Sequence, residues 1–402
     1  MKQKKWMKFR HRVITAVVRP LIAPVARMKY GVEVQRFLPQ RERPYLLLYN
    51  HQTGFDQFFI GMACSKPVYY LATEDIFSLG FVSKLLKYAV EPIPIKKQAT
   101  DVGAVRSCIR VAREGGSIAI APEGNRTYDG RTVYINPAIV SLVRMMKLPV
   151  ALFRIEGGYG VQPRWSNVTR PGKMRAYVHS VIEPEEYEQM SQDALYRRIC
   201  EGLQVEENCL SGLFPSNHSA EYLERALYVC PQCGLTHFES KGTKMKCTRC
   251  GRAVQYMPNK EIKGIGWNCP FRFVADWYDY QCDYINRLDT ADYLKQPLFE
   301  DTADWSEVIL YQKKLPLKNG AHLRLYGDRI VLDEGTSQEK SMPFVEISTV
   351  TVLGKNKLNI YHGDKVYQFK GDVHFNALKY MNIYHCHRNI SKGDPDGKFL
   401  GI

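Results

Sequence analysis

Residues 45–56 read Tyr-Leu-Leu-Leu-Tyr-Asn-His-Gln-Thr-Gly-Phe-Asp, and the first five decide the fold. An apolar run too short for a helix, ended by a polar turn, has the texture of a strand buried on both faces. Similar runs recur at 68–72, 117–121 and 149–155, with helical spacing between them. Val102, Val105, Ile109 and Ala112 share one face of a helix, with Thr100 or Asp101 as its cap and Gly115-Gly116 as its stop. Asn136-Pro137 opens another helix over 138–147. The alternation holds from about residue 45 to residue 182. It predicts an α/β fold with a largely parallel sheet flanked by helices.

The second half of the quoted stretch carries chemistry. His51 and Asp56 form an H-x4-D arrangement just beyond a strand. Activating a hydroxyl as a nucleophile requires removal of its proton, and a neutral imidazole is suited to that near neutral pH. A carboxylate on the other ring nitrogen fixes the tautomer and stabilises the imidazolium that forms. Taken alone, a histidine five residues before an aspartate reads better as a structural pair. A second motif, Ala-Pro-Glu-Gly-Asn-Arg-Thr at 121–127, follows another strand. Ligand sites in α/β sheets lie beyond the carboxyl ends of strands. Arg126 offers a fork for a phosphate, Gly124 permits close backbone approach, and Glu123 would orient the arginine or bind a hydroxyl. Alone, this too reads as a salt-bridged turn.

Taken together and in order, these motifs resemble the glycerolipid acyltransferase family, especially the 1-acylglycerol-3-phosphate acyltransferases. That family carries N-H-x4-D, a G-x-I-P-I block, F-P-E-G-T-R-S, and a proline-containing apolar block. Here Asn50–Asp56, Glu91-Pro92-Ile93-Pro94-Ile95-Lys96-Lys97, 121–127 and 148–153 follow the same order, over about residues 30–205. The resemblance implies a fatty acyl group moved from acyl-CoA or acyl carrier protein to the free hydroxyl of lysophosphatidic acid, forming phosphatidic acid. Other lysolipids or glycerol-3-phosphate are alternative acceptors, and a non-catalytic lipid-binding scaffold is the alternative from another class. It also implies His51 and Asp56 as the catalytic pair, with Glu123, Gly124, Arg126 and Lys97 binding the acceptor. Arg164, beyond the glycine-rich 157–160, is a further candidate anion contact; a plain turn reads as well. Departures from the family fall in the acceptor blocks: Glu91 for glycine, Lys97 for arginine, Asn125 for threonine, and Leu152 for a second proline.

A third signal is Cys230-Pro-Gln-Cys233-Gly234, then Cys247-Thr-Arg-Cys250-Gly251. Two C-x2-C-G knuckles make a four-thiolate structural zinc site, and the glycines permit the turns that aim backbone N–H groups at sulfur. Redox use is the rival, but needs one knuckle alone. The other seven cysteines have no partner spacing and read as ordinary thiols.

The formal charge of +15 is uneven. Residues 1–40 hold ten Lys/Arg against one acid, while 257–310 hold ten acids against five bases. This asymmetry argues against a nucleic-acid-binding protein, so no nucleic-acid partner is expected. Arg19, Pro20 and Pro24 interrupt the apolar stretch near the amino terminus, too early for a spanning helix of about 20 residues. A basic segment with Trp6 and Phe9 between its charges suits a membrane interface; a solvated tail is the alternative. With no export signal apparent, the expectation is a peripheral or monotopic protein on the cytoplasmic face, in contact with membrane phospholipids. The expected order is a basic interfacial segment (1–30), an acyltransferase domain (31–215), a zinc ribbon (226–256), an acidic aromatic connector (257–305) and a small PH/GRAM-like β domain (306–390).

Overall fold

The computed structural model describes residues 5–38, 43–73, 76–77, 81–95, 101–309 and 312–393. They fall into two compact units, one of residues 1–163 and 169–214, the other of residues 164–168 and 215–402.

The first unit is the α/β domain. Its strands are β1 (Val32–Val34), β2 (Leu46–Tyr49), β3 (Val68–Thr73), β4 (Ile93–Ile95), β5 (Ser117–Ile120), β6 (Val150–Glu156) and β7 (Met174–Ile182). They form one sheet in the order β1-β7-β6-β2-β5-β3-β4. Every pairing is parallel except β6 with β7. Helices α1 (Phe9–Tyr30), α2 (Asp56–Ala63), α3 (Phe81–Ala89), α4 (Val102–Arg113), α5 (Ala138–Met146), α6 (Gly158–Val161), α7 (Pro184–Glu188) and α8 (Gln192–Leu203) complete it.

The alternation of β2 explains why this sheet needs helices on both faces. Leu46 and Leu48 face one core with Cys108 and Val111 of α4, Val143 of α5 and Ile199 of α8. Leu47 and Tyr49 face the other, with Ala26 and Tyr30 of α1 and Phe59 and Ile60 of α2. Each fully buried leucine contributes about 1.5–3 kcal/mol, so β2 is fixed by apolar contact on two sides. Asp101 is the cap of α4, its side chain accepting the Ala104 N–H at 3.0 Å.

From Phe9 the basic segment is the helix α1, and the described residues of the segment divide their apolar side chains. Trp6, expected among interfacial residues, is instead buried in the core at 4 % exposure. The Glu114 carboxylate accepts its backbone N–H at 3.0 Å. The indole is thus taken from the candidate membrane face, while Phe9, Val13, Val17, Leu21 and Met28 remain exposed. No helix of the described residues is long and apolar enough to cross a membrane.

The second unit opens with β8 (Val229–Cys230) and β9 (Gly234–Leu235), then an antiparallel sheet of β10 (Phe238–Lys241), β11 (Lys244–Cys247), β12 (Ala253–Tyr256) and β13 (Ile262–Ile265). The stretch read as a connector is structured. It supplies β13, the helix α9 (Val274–Asn286) with Trp277 and Gln281 buried, and most of β14 (Phe299–Glu307). The following strands are β15 (Leu315–Leu325), β16 (Arg329–Leu332), β17 (Lys340–Pro343), β18 (Ile347–Leu353), β19 (Lys357–His362) and β20 (Lys365–Gly371), before helix α10 (Leu378–Ser391). They form a seven-stranded antiparallel sheet ordered β17-β16-β15-β14-β20-β19-β18. Turns at 326–328 and 363–364 close the β15–β16 and β19–β20 hairpins.

Candidate functional site

β2 delivers the quoted motif to the carboxyl edge of the sheet. Asn50 continues the strand with its side chain, donating Nδ2–H to Ile155 O at 2.8 Å and accepting the Ile155 N–H on Oδ1 at 2.7 Å. The chain then turns so that Asp56 becomes the first residue of α2. Its carboxylate is wholly buried, and four donors converge on it. They are the Gln52 N–H at 2.8 Å, the Thr53 N–H at 2.9 Å, the Thr53 hydroxyl at 2.6 Å, and His51 Nδ1 at 2.7 Å. An acceptor so surrounded makes Nδ1 the protonated ring nitrogen and leaves Nε2 with the lone pair. The His51 side chain is 19 % exposed. An imidazole held in this way can take a proton at Nε2.

Glu123 joins the second motif to the first, in a manner the sequence reading did not anticipate. One carboxylate oxygen accepts the His51 N–H at 2.8 Å and the other accepts the Val133 N–H at 2.6 Å. The residue is 1 % exposed. It was expected against the acceptor or Arg126; in the structure both oxygens are turned to backbone amides. Burial pushes its carboxyl up to about 8, against the lowering effect of the Val133 and His51 amides, with Asp56 and Asp129 adding to the rise. Gly124 adopts φ 68° at the tip of this turn, a conformation that favours glycine. Arg126 follows on the same loop, and its charge reaches the buried hydroxyl of Tyr30.

The glycine-rich loop after β6 packs against the His51 loop. A Cβ at Gly158 would meet Gln52 Cβ at 2.5 Å, and Gln162 Oε1 accepts the Gly54 N–H at 3.3 Å. Arg164 is not part of this arrangement. It belongs to the second unit, where its guanidinium donates to Val352 O at 2.8 Å and Gly354 O at 3.1 Å. The assignment of Arg164 as an anion contact is corrected accordingly, because those donors hold strand carbonyls. Lys97 lies outside the described residues. Asn50, Thr53 and Gln162 were not singled out from the sequence. Thr53 had a local signal, as a hydroxyl inside H-x4-D, whereas Asn50 and Gln162 act across 105 and 108 residues.

The departure at Glu91 has a structural counterpart. Glu91 adopts φ 42°, which explains why glycine suits the position, and its buried carboxylate accepts Lys8 Nζ at 2.5 Å. His11 Nε2 lies 3.9 Å from the same oxygen.

In the second unit, the sulfurs of Cys230, Cys233, Cys247 and Cys250 lie within 4.8 Å of one another. Cys230 and Cys250 sulfurs are 3.8 Å apart. Four sulfurs at about 2.3 Å from one ion lie about 3.8 Å apart in a tetrahedron, so the cluster fits a metal ion. Gly234 and Gly251 adopt φ 69° and 76°, and the Gln232 N–H points at Cys230 sulfur at 3.4 Å. The same unit encloses a cavity of about 600 Å³ lined by Glu224, Asp301, His374 and Lys379, among others. None of the lining residues belongs to the His51 or Glu123 motifs.

These features place the His51–Asp56 pair beyond the carboxyl end of a strand in an α/β sheet. The family model described as Acyltransferase matches residues 30–155. Over these residues, which include the His51 and Arg126 motifs, the chain is similar to the acyltransferases. It is 21 % identical over 156 residues to a chloroplastic 1-acyl-sn-glycerol-3-phosphate acyltransferase, LPAT1, of Arabidopsis thaliana, covering 38 % of this chain and 44 % of the relative. Similarity to the chloroplastic 1-acyl-sn-glycerol-3-phosphate acyltransferase BAT2 of Brassica napus is 21 % over 157 residues, covering 38 % and 45 %. The chain thus spans under half the length of these relatives. A solved structure, the LPA acyltransferase PlsC of Thermotoga maritima, aligns with a TM-score of 0.41 and 19 % identity, over 48 % of this chain and 77 % of that one.

Proposed function

We propose that the first unit transfers a fatty acyl group from an acyl thioester, on coenzyme A or acyl carrier protein, to the free hydroxyl of 1-acylglycerol-3-phosphate, forming phosphatidic acid. The observation that carries this reading is the His51 Nδ1–Asp56 contact of 2.7 Å, within a turn that also sends the Gln52 and Thr53 N–H groups and the Thr53 hydroxyl to that carboxylate. His51 Nε2 takes the proton from the acceptor hydroxyl as its oxygen attacks the thioester carbonyl. The tetrahedral intermediate collapses, the C–S bond breaks, and the imidazolium returns the proton to the departing thiolate. No covalent enzyme intermediate is needed. Arg126 and Lys97 are assigned to the acceptor phosphate, Arg126 as a fork and Lys97 as a point charge. Gly124 lets the acceptor approach the backbone. Glu123 holds the backbone of His51 and orders the site from beneath.

Glu91, Lys97 and Asn125 depart from the family inside the acceptor blocks, and these departures favour a second acceptor. Another lysolipid or glycerol-3-phosphate is the second reading. The exposed apolar residues of α1 beside Arg10, Arg12, Arg19, Arg27 and Lys29 support peripheral or monotopic membrane attachment. Four cysteines in tetrahedral spacing support structural zinc in the second unit.

The test is incubation of purified protein with labelled acyl-CoA, or acyl carrier protein, and a panel of lysolipids. Labelled phosphatidic acid from wild type, and about a hundredfold less or lower still from His51→Ala, is the expected result. Acyl transfer near the wild-type rate in His51→Ala overturns the mechanism, and transfer only to a different lysolipid overturns the acceptor.

A further inference from the structure

The ribbon sheet sorts its side chains by face. Phe238, Met245, Val254, Tyr256 and Ile262 are buried, and the residues alternating with them point outward. In the observed register Lys241 of β10 lies opposite Lys244 of β11, Lys244 opposite Gln255 of β12, and Gln255 opposite Lys263 of β13. Register partners share a face, so one row across the sheet carries three lysines. Lys246 stands two residues along β11 from Lys244 and therefore on that same face. All four lysines are exposed. Glu239, opposite Lys246, is the one acid among the strand residues of this sheet. Like charges directly opposed in a sheet are destabilising. With strands about 4.8 Å apart, the row spans roughly 14 Å of flat surface.

The nearby arginines and aromatic are already engaged. Arg249 donates to Cys233 O at 3.1 Å, and Arg252 lies 5.0 Å from the Trp267 ring. Trp267 itself donates Nε1–H to Ala253 O at 2.8 Å. A single-stranded nucleic acid would want exposed rings to stack on, and this face offers lysine ammoniums in place of rings. Lysine is a hydrated point charge on a flexible stem, suited to diffuse attraction by a plane of negative charge more than to forked recognition of one group.

We propose that the outward face of the ribbon sheet, through Lys241, Lys244, Lys246 and Lys263, docks on the surface of an anionic lipid bilayer. This rests on the reading of the first unit as an enzyme whose acceptor resides in a membrane. A lysine held near an anionic leaflet is worth about fivefold in partitioning. A second contact on one chain also raises the effective concentration of the first, which strengthens attachment without a deep anchor.

The experiment measures partitioning of the full chain onto phosphatidylcholine vesicles with and without phosphatidylglycerol, at moderate salt. Wild type is compared with the quadruple variant Lys241→Ser/Lys244→Ser/Lys246→Ser/Lys263→Ser, after thermal unfolding and metal content confirm that both are folded alike. The amino-terminal helix is common to both proteins, so the difference reads the ribbon face. The expected result is at least a tenfold weaker partition onto phosphatidylglycerol vesicles, no change on pure phosphatidylcholine, and unchanged acyl transfer in detergent micelles. Equal partitioning of the two proteins overturns the proposal. So does loss of duplex or single-stranded nucleic-acid binding, or of an acidic protein, with vesicle binding retained. If wild type partitions as expected but transfers no acyl group, the docking face stands and the catalytic reading falls.

Discussion

Glu123 accepts the backbone N–H of His51 at 2.8 Å across a separation of 72 residues. This bond, with the Val133 N–H on the other oxygen at 2.6 Å, ties the loop after β5 to the loop after β2 and sets the height of the imidazole in the site. Because the carboxyl is enclosed and pushed up to about 8, its protonated form is favoured in the folded protein relative to the unfolded chain. The native state then binds more protons than the unfolded state between the ordinary carboxyl value near 4.5 and about 8. The stability this group contributes is full below that lower value and is lost as pH rises through about 8. Glu123→Gln, which cannot ionise, is expected to flatten this part of the profile. Thermal unfolding from pH 4 to pH 9 checks it; parallel profiles for the two proteins exclude the effect.

His51→Ala is expected to lower kcat by about a hundred- to ten-thousand-fold, the usual worth of a general base, with little change in unfolding temperature. Asp56→Asn should lower both. An amide presents one oxygen in place of two, so one of the Gln52 or Thr53 backbone donors, or His51 Nδ1, faces an NH2 group. A buried donor left without its acceptor costs about 1–3 kcal/mol. Steady-state kinetics alongside denaturant unfolding separate the two substitutions; equal stability loss in both would contradict the separate roles.

Gly158→Ala tests the support given to the His51 loop by the neighbouring turn. The added methyl would lie 2.5 Å from Gln52 Cβ and 3.1 Å from Thr53 Cγ2, both bonded parts of the catalytic loop. Overpacking of this kind costs about 1–3 kcal/mol. The expected outcome is reduced kcat, since Thr53 carries two of the donors to Asp56. Unaltered turnover with reduced stability would show that the loop yields without moving the imidazole.

The cysteine cluster predicts one zinc ion per chain, measured by elemental analysis of the purified protein. Structural zinc sites lend their binding free energy to folding. Cys233→Ser or Cys247→Ser should therefore lose the metal and lower the unfolding temperature of the second unit. Metal retained at full stoichiometry in both variants would refute a four-thiolate shell.

The fold of the first unit was legible because β2 and its neighbours are uniformly apolar, and the helices between them carry a clear period with a cap such as Asp101. His51 and Asp56 were legible for a similar reason: they are five residues apart, and local spacing determines whether their side chains meet. Glu123 was found as a residue but given the wrong contact, because its partners come from loops 72 and 10 residues away. Arg164 failed in the same manner. Its position after a glycine-rich loop suggested an anion, whereas the chain there enters the second unit and the guanidinium serves carbonyls of residues 352 and 354. The acidic 257–305 stretch looked like a connector because its charges are frequent. Trp277 and Gln281 nonetheless lie buried on α9, and the acids occupy its outer positions or caps, as Asp276 does in accepting the Phe273 N–H at 2.8 Å.

Glu91→Gly brings two opposed effects to one position. Glycine relieves a left-handed backbone at φ 42°, a gain of about 1 kcal/mol. It also removes the carboxylate that accepts Lys8 Nζ at 2.5 Å and faces His11 Nε2 at 3.9 Å, leaving a buried imidazole beside a vacated space. Lys8 is about a third exposed, so water compensates its loss in part, whereas His11 at 2 % exposure has no such recourse. The expected outcome is a global unfolding temperature close to that of wild type, with a looser start to α1. Limited trypsin digestion should then cleave after Arg10 and Arg12 several-fold faster in the variant. Digestion at the wild-type rate would show that the Glu114 contacts to Trp6 and Met7 hold the helix start without help from Glu91.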